Sequence, residues 1–372
     1  MNVSSSVVAT ALLVGSCVLA APAAAAPPPA APALACGDTV TGAVLLDRDL
    51  VCTTAPGLVL TRGATVDLGG HTVRGPGEGT GLLIDWPDGE SGTDPVTVVN
   101  GTVRDWGTGI EVQEATLTLR GMTFDRAAYT AVSGFRSDVT LEDSTIRRTG
   151  YGVNVYYYGS LTVARSRFVD NGTGLAGGFN TGMTVTDSTF ERNTTGAECS
   201  ESYAQVIRTR VVRNTTGVSF DWCLGSRLHD SELVRNETAF RTRTPAPYDV
   251  GDWEGDQVFR NRFDRNEVAV DLRENAHLQD NRFTRNGTAF RALTAGNDFP
   301  ISLFALERNT FDRNGDAVDV DTRIRMQDNV ATRNTGWGIH TPAAEDLGGN
   351  VAWGNGREPQ CTGVVCAGRP RS

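Results

Sequence analysis

The chain has 372 residues with 44 acidic and 34 basic side chains, a net charge of −10 and a pI near 5.0. That balance disfavours nucleic acid and anionic membranes as partners. All 34 basic residues are arginine, which excludes Schiff-base chemistry, a phosphate-loop lysine and a lysine general base.

Residues 1–26 read as a secretory leader. The apolar stretch over 7–20 is too short to span a bilayer, and Ala24, Ala25 and Ala26 supply the small residues of a cleavage site. A lipoprotein signal competes with this reading, because Val14-Gly15-Ser16-Cys17 resembles a lipobox that would place a lipid on Cys17. Residues 27–35 are an Ala/Pro-rich linker. The mature chain is therefore expected outside the cell or anchored at its surface, with no transmembrane segment.

From residue 36 to residue 366 the chain is a repeat. Without Cys17 it has six cysteines, an even number that suits an oxidising compartment. Their order pairs Cys36 with Cys52, Cys199 with Cys223 and Cys361 with Cys366. The outer pairs would staple the two ends, and the middle pair would clip adjacent repeats. No Cys/His cluster has metal-ligand spacing, so no metal site is expected; calcium has no motif here.

The repeat shows in Phe168-Val169-Asp170-Asn171, Phe190-Glu191-Arg192-Asn193 and Phe263-Asp264-Arg265-Asn266, with further copies ending at Asn214, Asn236, Asn286 and Asn314. Weaker copies end at Asn334 and Asn355, and Val103, Phe124 and Ile146 extend the apolar column upstream. A period in the low twenties identifies a solenoid. Short alternating runs broken by Gly and Asn make its elements strands, and no apolar helical period is sustained. The Phe/Ile/Val/Leu column should fill the interior. The Asn column should stack amide on amide inside a turn, where Asn tolerates left-handed backbone. Gly or Ala three residues later (Gly174, Gly196, Gly217, Ala239) should let the coil turn. Because these Asn should point inward, sequons such as Asn171-Gly172-Thr173 are by-products of the repeat rather than glycan sites.

These columns resemble the parallel β-helix repeat of the right-handed β-helix (pectin-lyase-like, NosD-like) superfamily. The start, Ala35-Cys36-Gly37-Asp38-Thr39-Val40 with Gly69-Gly70-His71-Thr72, resembles secreted actinobacterial members of uncharacterised function. The expected fold is all-β, a single right-handed parallel β-helix of roughly 11–13 coils over 36–366, with a disordered tail at 367–372. The resemblance implies little about activity. The Asp-Pro-His of alginate epimerases and the Asn-Thr-Asp and Gly-His-Gly of polygalacturonases are absent. Four His and four Met without clustering transfer poorly to the copper delivery linked to NosD-like proteins.

Function is expected where the period breaks. Insertions at 86–95, 243–256 and 294–302 follow equivalent strands and should emerge on one side. Beside them an outward column runs through Glu198, Arg241, Asp271, Arg291 and Asp319, with Tyr156, Asp221 and Asp321 two residues further along their coils. One reading is a solvent-facing ladder of ion pairs, each worth little. The other is a polar groove for extracellular polysaccharide or cell-wall glycan, with Tyr156, Tyr157, Tyr158, Trp222, Trp253, Arg241 and Arg291 as ligand-binding candidates. Hydrolysis needs two carboxylates roughly 5 to 9.5 Å apart. The catalytic candidates are therefore Glu198 with Asp221, and Asp271, Asp319 and Asp321. A purely structural surface spacer is the third reading.

Overall fold

A computed structural model describes residues 34–84, 94–223, 225–243, 255–273, 275–292 and 304–369. The expected leader with Cys17, nearly all of the linker, Trp253 and the interiors of the three insertions lie outside the described residues.

Most coils of the unit beginning at Leu34 lay down three short strands, as in Tyr151–Tyr156, Ser160–Ala164 and Arg167–Val169, and in two lower coils the second and third run together as Val96–Arg104 and Thr116–Asp125. Strands of successive coils pair in parallel. The first face is a 15-stranded sheet running from Thr39–Val40 to Cys361–Thr362. The second and third faces stack in the same way, for example Leu161 on Val139 and Phe168 on Ile146. The result is an all-β right-handed helix of about 13 turns, the hand that parallel crossovers require. The expected tail begins too early: Ala367 bridges to Val351, so paired backbone continues past Cys366.

The sequence columns become physical stacks. Phe263, Phe283 and Phe311 lie fully buried and nearly coplanar, with ring centroids 4.8 Å apart, which is the strand spacing. Asn171 through Asn355 form an internal ladder. In Asn266 the backbone N–H and the side-chain Nδ2 both donate to Asn286 Oδ1, at 2.9 and 3.0 Å, and Nδ2 also donates to the Leu233 carbonyl. A turn that would bury unpaired amides is thereby saturated, as buried polar groups require. The sequon asparagines Asn171, Asn193 and Asn286 are buried in this ladder.

Two local expectations are corrected. The left-handed residue at the turn is the one before each Asn: Arg192, Arg213, Arg235, Arg265, Arg285, Arg313 and Arg333 all have φ between 55° and 58°. Asn is there for its amide, and the long arginine points to solvent. Gly174, Gly196 and Ala239 are likewise not turn residues; they lie within first-face strands. A Cβ added at Gly174 would meet the Gly196 carbonyl oxygen at 2.6 Å and the Phe190 ring at 2.9 Å. Smallness there serves close packing.

A second internal ladder occupies the corner between the second and third faces. It runs Ser144, Ser166, Ser188, Thr209 and Ser231, then continues as Asn261, Asn281, Asn309, Asn329 and Asn350. Outside it, left-handed residues alternate in sign: Asp143, Arg165, Asp187, Arg208, Asp230, Arg260, Asp280, Arg308 and Asp328. Each of the four arginines makes two hydrogen bonds to the aspartate one coil below. These guanidinia hold Asp143 and Asp187 below the usual carboxylate range and take Asp230 to about 2.

All three expected disulfides are present. Cys199 and Cys223 are buried and tie one coil to the next across a separation of 24 residues.

Candidate functional site

The first face ends at the corner where it turns into the second face. All three insertions leave from this corner: described chain stops at Ile84, Arg243 and Ala292 and resumes at Asp94, Gly255 and Phe304. Between the lower insertion and the two upper ones, coils of regular length carry an aromatic run at the same corner.

That run begins at Phe135, which stands in register with Tyr156. Their rings meet edge to face at 5.2 Å, and Tyr157 packs on both. One coil higher, Phe179 stacks on Tyr157 with centroids 5.1 Å apart and planes within 12°. Tyr158 is 69% exposed and Phe179 44%, so this cluster is not core. Tyr157, Tyr158 and Phe179 have φ of 65°, 53° and 50°. Left-handed backbone is uncommon for non-glycine residues, and here it turns large rings outward at the bend. Further up, Tyr203 and Trp222 line an open hollow of about 460 Å³ with Asn180, Gly182, Glu201 and Ser202. The Cys199–Cys223 disulfide fixes the backbone beside Trp222.

The outward column of the first face has the expected register: Ala176 lies beside Glu198, Glu198 beside Ser219, Ser219 beside Arg241 and Arg241 beside Asp271. Its upper part is an ion-pair ladder. Arg291 grips both oxygens of Asp271 at 3.2 and 2.6 Å, which raises the Arg291 pKa. Asp319 is bonded to His340 Nδ1 at 2.9 Å. The strand carrying Asp319 stops there, so Asp321 is an exposed residue beyond its end rather than a second acid on one strand. Asp271, Arg291 and Asp319 are thus each engaged within the ladder, and Asp321 lies beyond it.

The lower part differs. Ser200 pairs with Asp221 while Glu198 pairs with Ser219, so Glu198 and Asp221 sit diagonally on neighbouring strands, about 7–8 Å apart by backbone geometry. Asp221 Oδ1 is buried and has no hydrogen-bond partner among the described residues. Glu198 is 3.6 Å from Arg243 Nη1. Arg241 Nε donates to Ser219 Oγ at 3.3 Å, and burial, then the nearby Arg243 charge, lowers the Arg241 pKa. This coil neighbourhood holds Glu198, Asp221, Trp222 and Arg241 together, with the Tyr156–Tyr158 cluster lower on the same corner. Phe135 escaped the sequence reading although it stands one 21-residue step below Tyr156. Asn180 and Glu201 escaped because corner residues follow no column pattern.

Among the described residues no group of three or more His, Cys, Asp or Glu could hold a metal ion. No helix there is long and apolar enough to cross a membrane.

Comparison with known proteins agrees with this architecture. Residues 88–238 match the family model described as the right-handed beta helix region. A double mutant of the periplasmic alginate epimerase AlgG superimposes with a TM-score of 0.55 at 12% identity, covering 83% of this chain and 76% of that one. A mutant tailspike protein of E. coli bacteriophage HK620, in complex with pentasaccharide, follows with a TM-score of 0.47 at 11% identity, over 88% and 73% of the two chains. No curated relative matches the sequence. At such identities the likeness is one of fold. The chain is a right-handed parallel β-helix.

Proposed function

We propose that this is an exported protein that binds polysaccharide or cell-wall glycan at the corner carrying the insertions. The observation that carries the reading is the exposed aromatic run from Phe135 to Phe179, continuing to the hollow lined by Tyr203 and Trp222. Rings with an apolar face and a polar tip suit the alternating character of a sugar, and a run along the solenoid axis suits a polymer. The fold's occurrence in an alginate epimerase is consistent with work on polysaccharide. Three disulfides and the apolar leader support export, with a lipid on Cys17 as the anchored form of the same reading.

A polysaccharide panel scored for both retention and release of reducing or unsaturated ends tests it. Retention without release is expected. Tyr158→Ala combined with Phe179→Ala should weaken retention about tenfold, the equivalent of losing about 1.4 kcal/mol of ring contact. Retention that ignores both substitutions would overturn the placement. No retention of any glycan would leave the structural spacer.

One observation favours a second reading, a glycoside hydrolase or lyase. Asp221 Oδ1 is buried without a hydrogen-bond partner among the described residues, diagonal to Glu198. A carboxylate so placed is suited to receive a substrate hydroxyl or proton. Release of sugar ends that Asp221→Asn and Glu198→Gln each abolish, with retention intact, would establish it.

A further inference from the structure

Five asparagines of the chain are followed by glycine: Asn100, Asn171, Asn286, Asn314 and Asn355. In an Asn–Gly pair the glycine nitrogen can attack the preceding side-chain amide readily, because glycine has no Cβ to obstruct the approach. The reaction also needs an amide that is free to turn toward that nitrogen.

In four of the five the amide is locked. Asn286 Nδ2 donates to the Phe263 carbonyl and to Asn314 Oδ1, and its Oδ1 accepts from the Asn266 backbone N–H and Nδ2. Asn314 repeats this pattern one coil higher. In Asn171 the donors to Oδ1 are the Thr149 backbone N–H and hydroxyl, and Asn355 closes the ladder on Gln360. All four are at most 9% exposed.

Asn100 stands outside the ladder. It is the left-handed residue, with φ 56°, at the corner where Val96–Arg104 bends from the second face into the third. Its side chain is exposed, with Gly121 as the corner residue of the coil above and Gly70 below donating its N–H to the Asn100 carbonyl at 2.7 Å. Nδ2 contacts only the exposed Asp67 carboxylate, at 3.3 and 3.4 Å, which is long for a hydrogen bond. Packing also demands the glycine that follows. A Cβ at Gly101 would lie 2.3 Å from Leu68 Cβ and 2.8 Å from the His71 carbonyl oxygen. The fold therefore keeps beside Asn100 the residue that leaves it open to attack.

We propose that Asn100 is a self-modifying site, which deamidates to aspartate and isoaspartate in the folded protein while the ladder asparagines persist. The Gly101 nitrogen bonds to Asn100 Cγ, the Cγ–Nδ2 bond breaks, and ammonia leaves carrying the proton lost by the Gly101 nitrogen. The succinimide so formed takes up one water, and opening at either carbonyl gives aspartate or isoaspartate. Water is the sole co-reactant and nothing is oxidised or reduced. Either product sets a carboxylate beside Asp67, where like charges repel. Isoaspartate also reroutes the backbone through Cγ and turns the acceptor of the Gly70 N–H into a free carboxylate. Because each coil is held only by its neighbours, the damage falls on the joint between the first coils, stapled by Cys36–Cys52, and the rest of the solenoid.

The test ages the full mature chain in mildly alkaline buffer beside an Asn100→Gly variant, with peptide mapping by mass over a time course. A gain of one mass unit and a split chromatographic peak should appear at Asn100 at least about tenfold faster than at any ladder asparagine, whose buried hydrogen bonds must first open. Backbone hydrogen exchange in the aged protein should accelerate over residues 65–104 and leave the Phe263–Phe311 stack protected. Asn100→Gly keeps the left-handed corner, as Gly121 does, and should age without either change. Asn100→Asp carries the charge without the rerouted backbone. It should melt below the parent at neutral pH, with the deficit shrinking as pH falls through the carboxylate range, since protonation removes the repulsion. Equal conversion at Asn286 or Asn314 overturns the inference. So does an Asn100 that persists while a free peptide spanning 96–104 converts, or unchanged exchange in the deamidated protein.

Discussion

At the scale of single residues, the turn preceding the first face divides its labour between two side chains. The arginine before each Asn adopts the left-handed conformation, which costs an L-residue roughly 1–2 kcal/mol. The Asn offsets that cost through its amide: in Asn266, Nδ2 donates to Asn286 Oδ1 and the Leu233 carbonyl, and Oδ1 accepts from the Asn236 backbone N–H and Nδ2. Removing this amide takes the acceptor from the Asn236 backbone N–H and Nδ2 below it and the donor from the Leu233 carbonyl. Asn266→Ala should therefore destabilise the protein by about 2–4 kcal/mol, more than one typical hydrogen bond, because each orphaned buried group costs about 1–3 kcal/mol. Chemical denaturation with matched m-values checks this. A loss under 1 kcal/mol would mean that water replaces the ladder. The Phe/Asn spacing made this column readable in the sequence. The second ladder was harder to see, because its early members are Ser and Thr, which occur at every turn and solvent-facing site of a β-protein.

At the scale of elements, the alternating Asp/Arg column is a row of bidentate pairs. Asp230 receives Arg260 at 2.7 Å on both oxygens and also contacts His229 Nδ1 at 2.7 Å. Its folded pKa, about 2, lies below the unfolded value. Such a group stabilises the fold fully above its unfolded pKa, and the contribution disappears as pH falls through the folded one. Replacing it by Asp230→Asn should thus lower Tm at pH 6, with the difference from the parent shrinking between pH 4 and pH 2. A difference that is constant with pH would show that packing, not charge, accounts for the effect. Exposure keeps the size modest. The upper first-face column is the same kind of object: Asp271 with Arg291 and Asp319 with His340 are partners to each other. Their sequence pattern resembled a row of available acids and bases, since alternation of sign looks alike whether the charges are paired or open.

At the scale of the molecule, each coil packs only on its neighbours, so stability is a sum of nearest-neighbour terms. The Cys199–Cys223 disulfide is the one covalent link among the described middle coils. Losing it through Cys199→Ser with Cys223→Ser should cost about 3 kcal/mol by loop entropy. Hydrogen exchange should accelerate around residues 195–229 and leave the Phe263–Phe311 stack protected. Uniform acceleration along the chain would contradict the one-dimensional picture. Because Trp222 adjoins the disulfide, glycan retention should fall with it.

The sequence by itself determined the β-helix, its interior columns, the three disulfide pairs and the corner from which the insertions leave. Those features repeat, and a repeat of one strand spacing per coil converts residue order directly into spatial neighbours. It also placed Tyr156–Tyr158 and Trp222 near one edge. Only the tertiary structure decided which outward charges are already partnered, that Phe135 joins the aromatic cluster, and that one turn column alternates in sign while another stacks arginine. Side-chain direction at a bend depends on the sign of φ and on which carboxylate lies one coil away. Neither is encoded in the period.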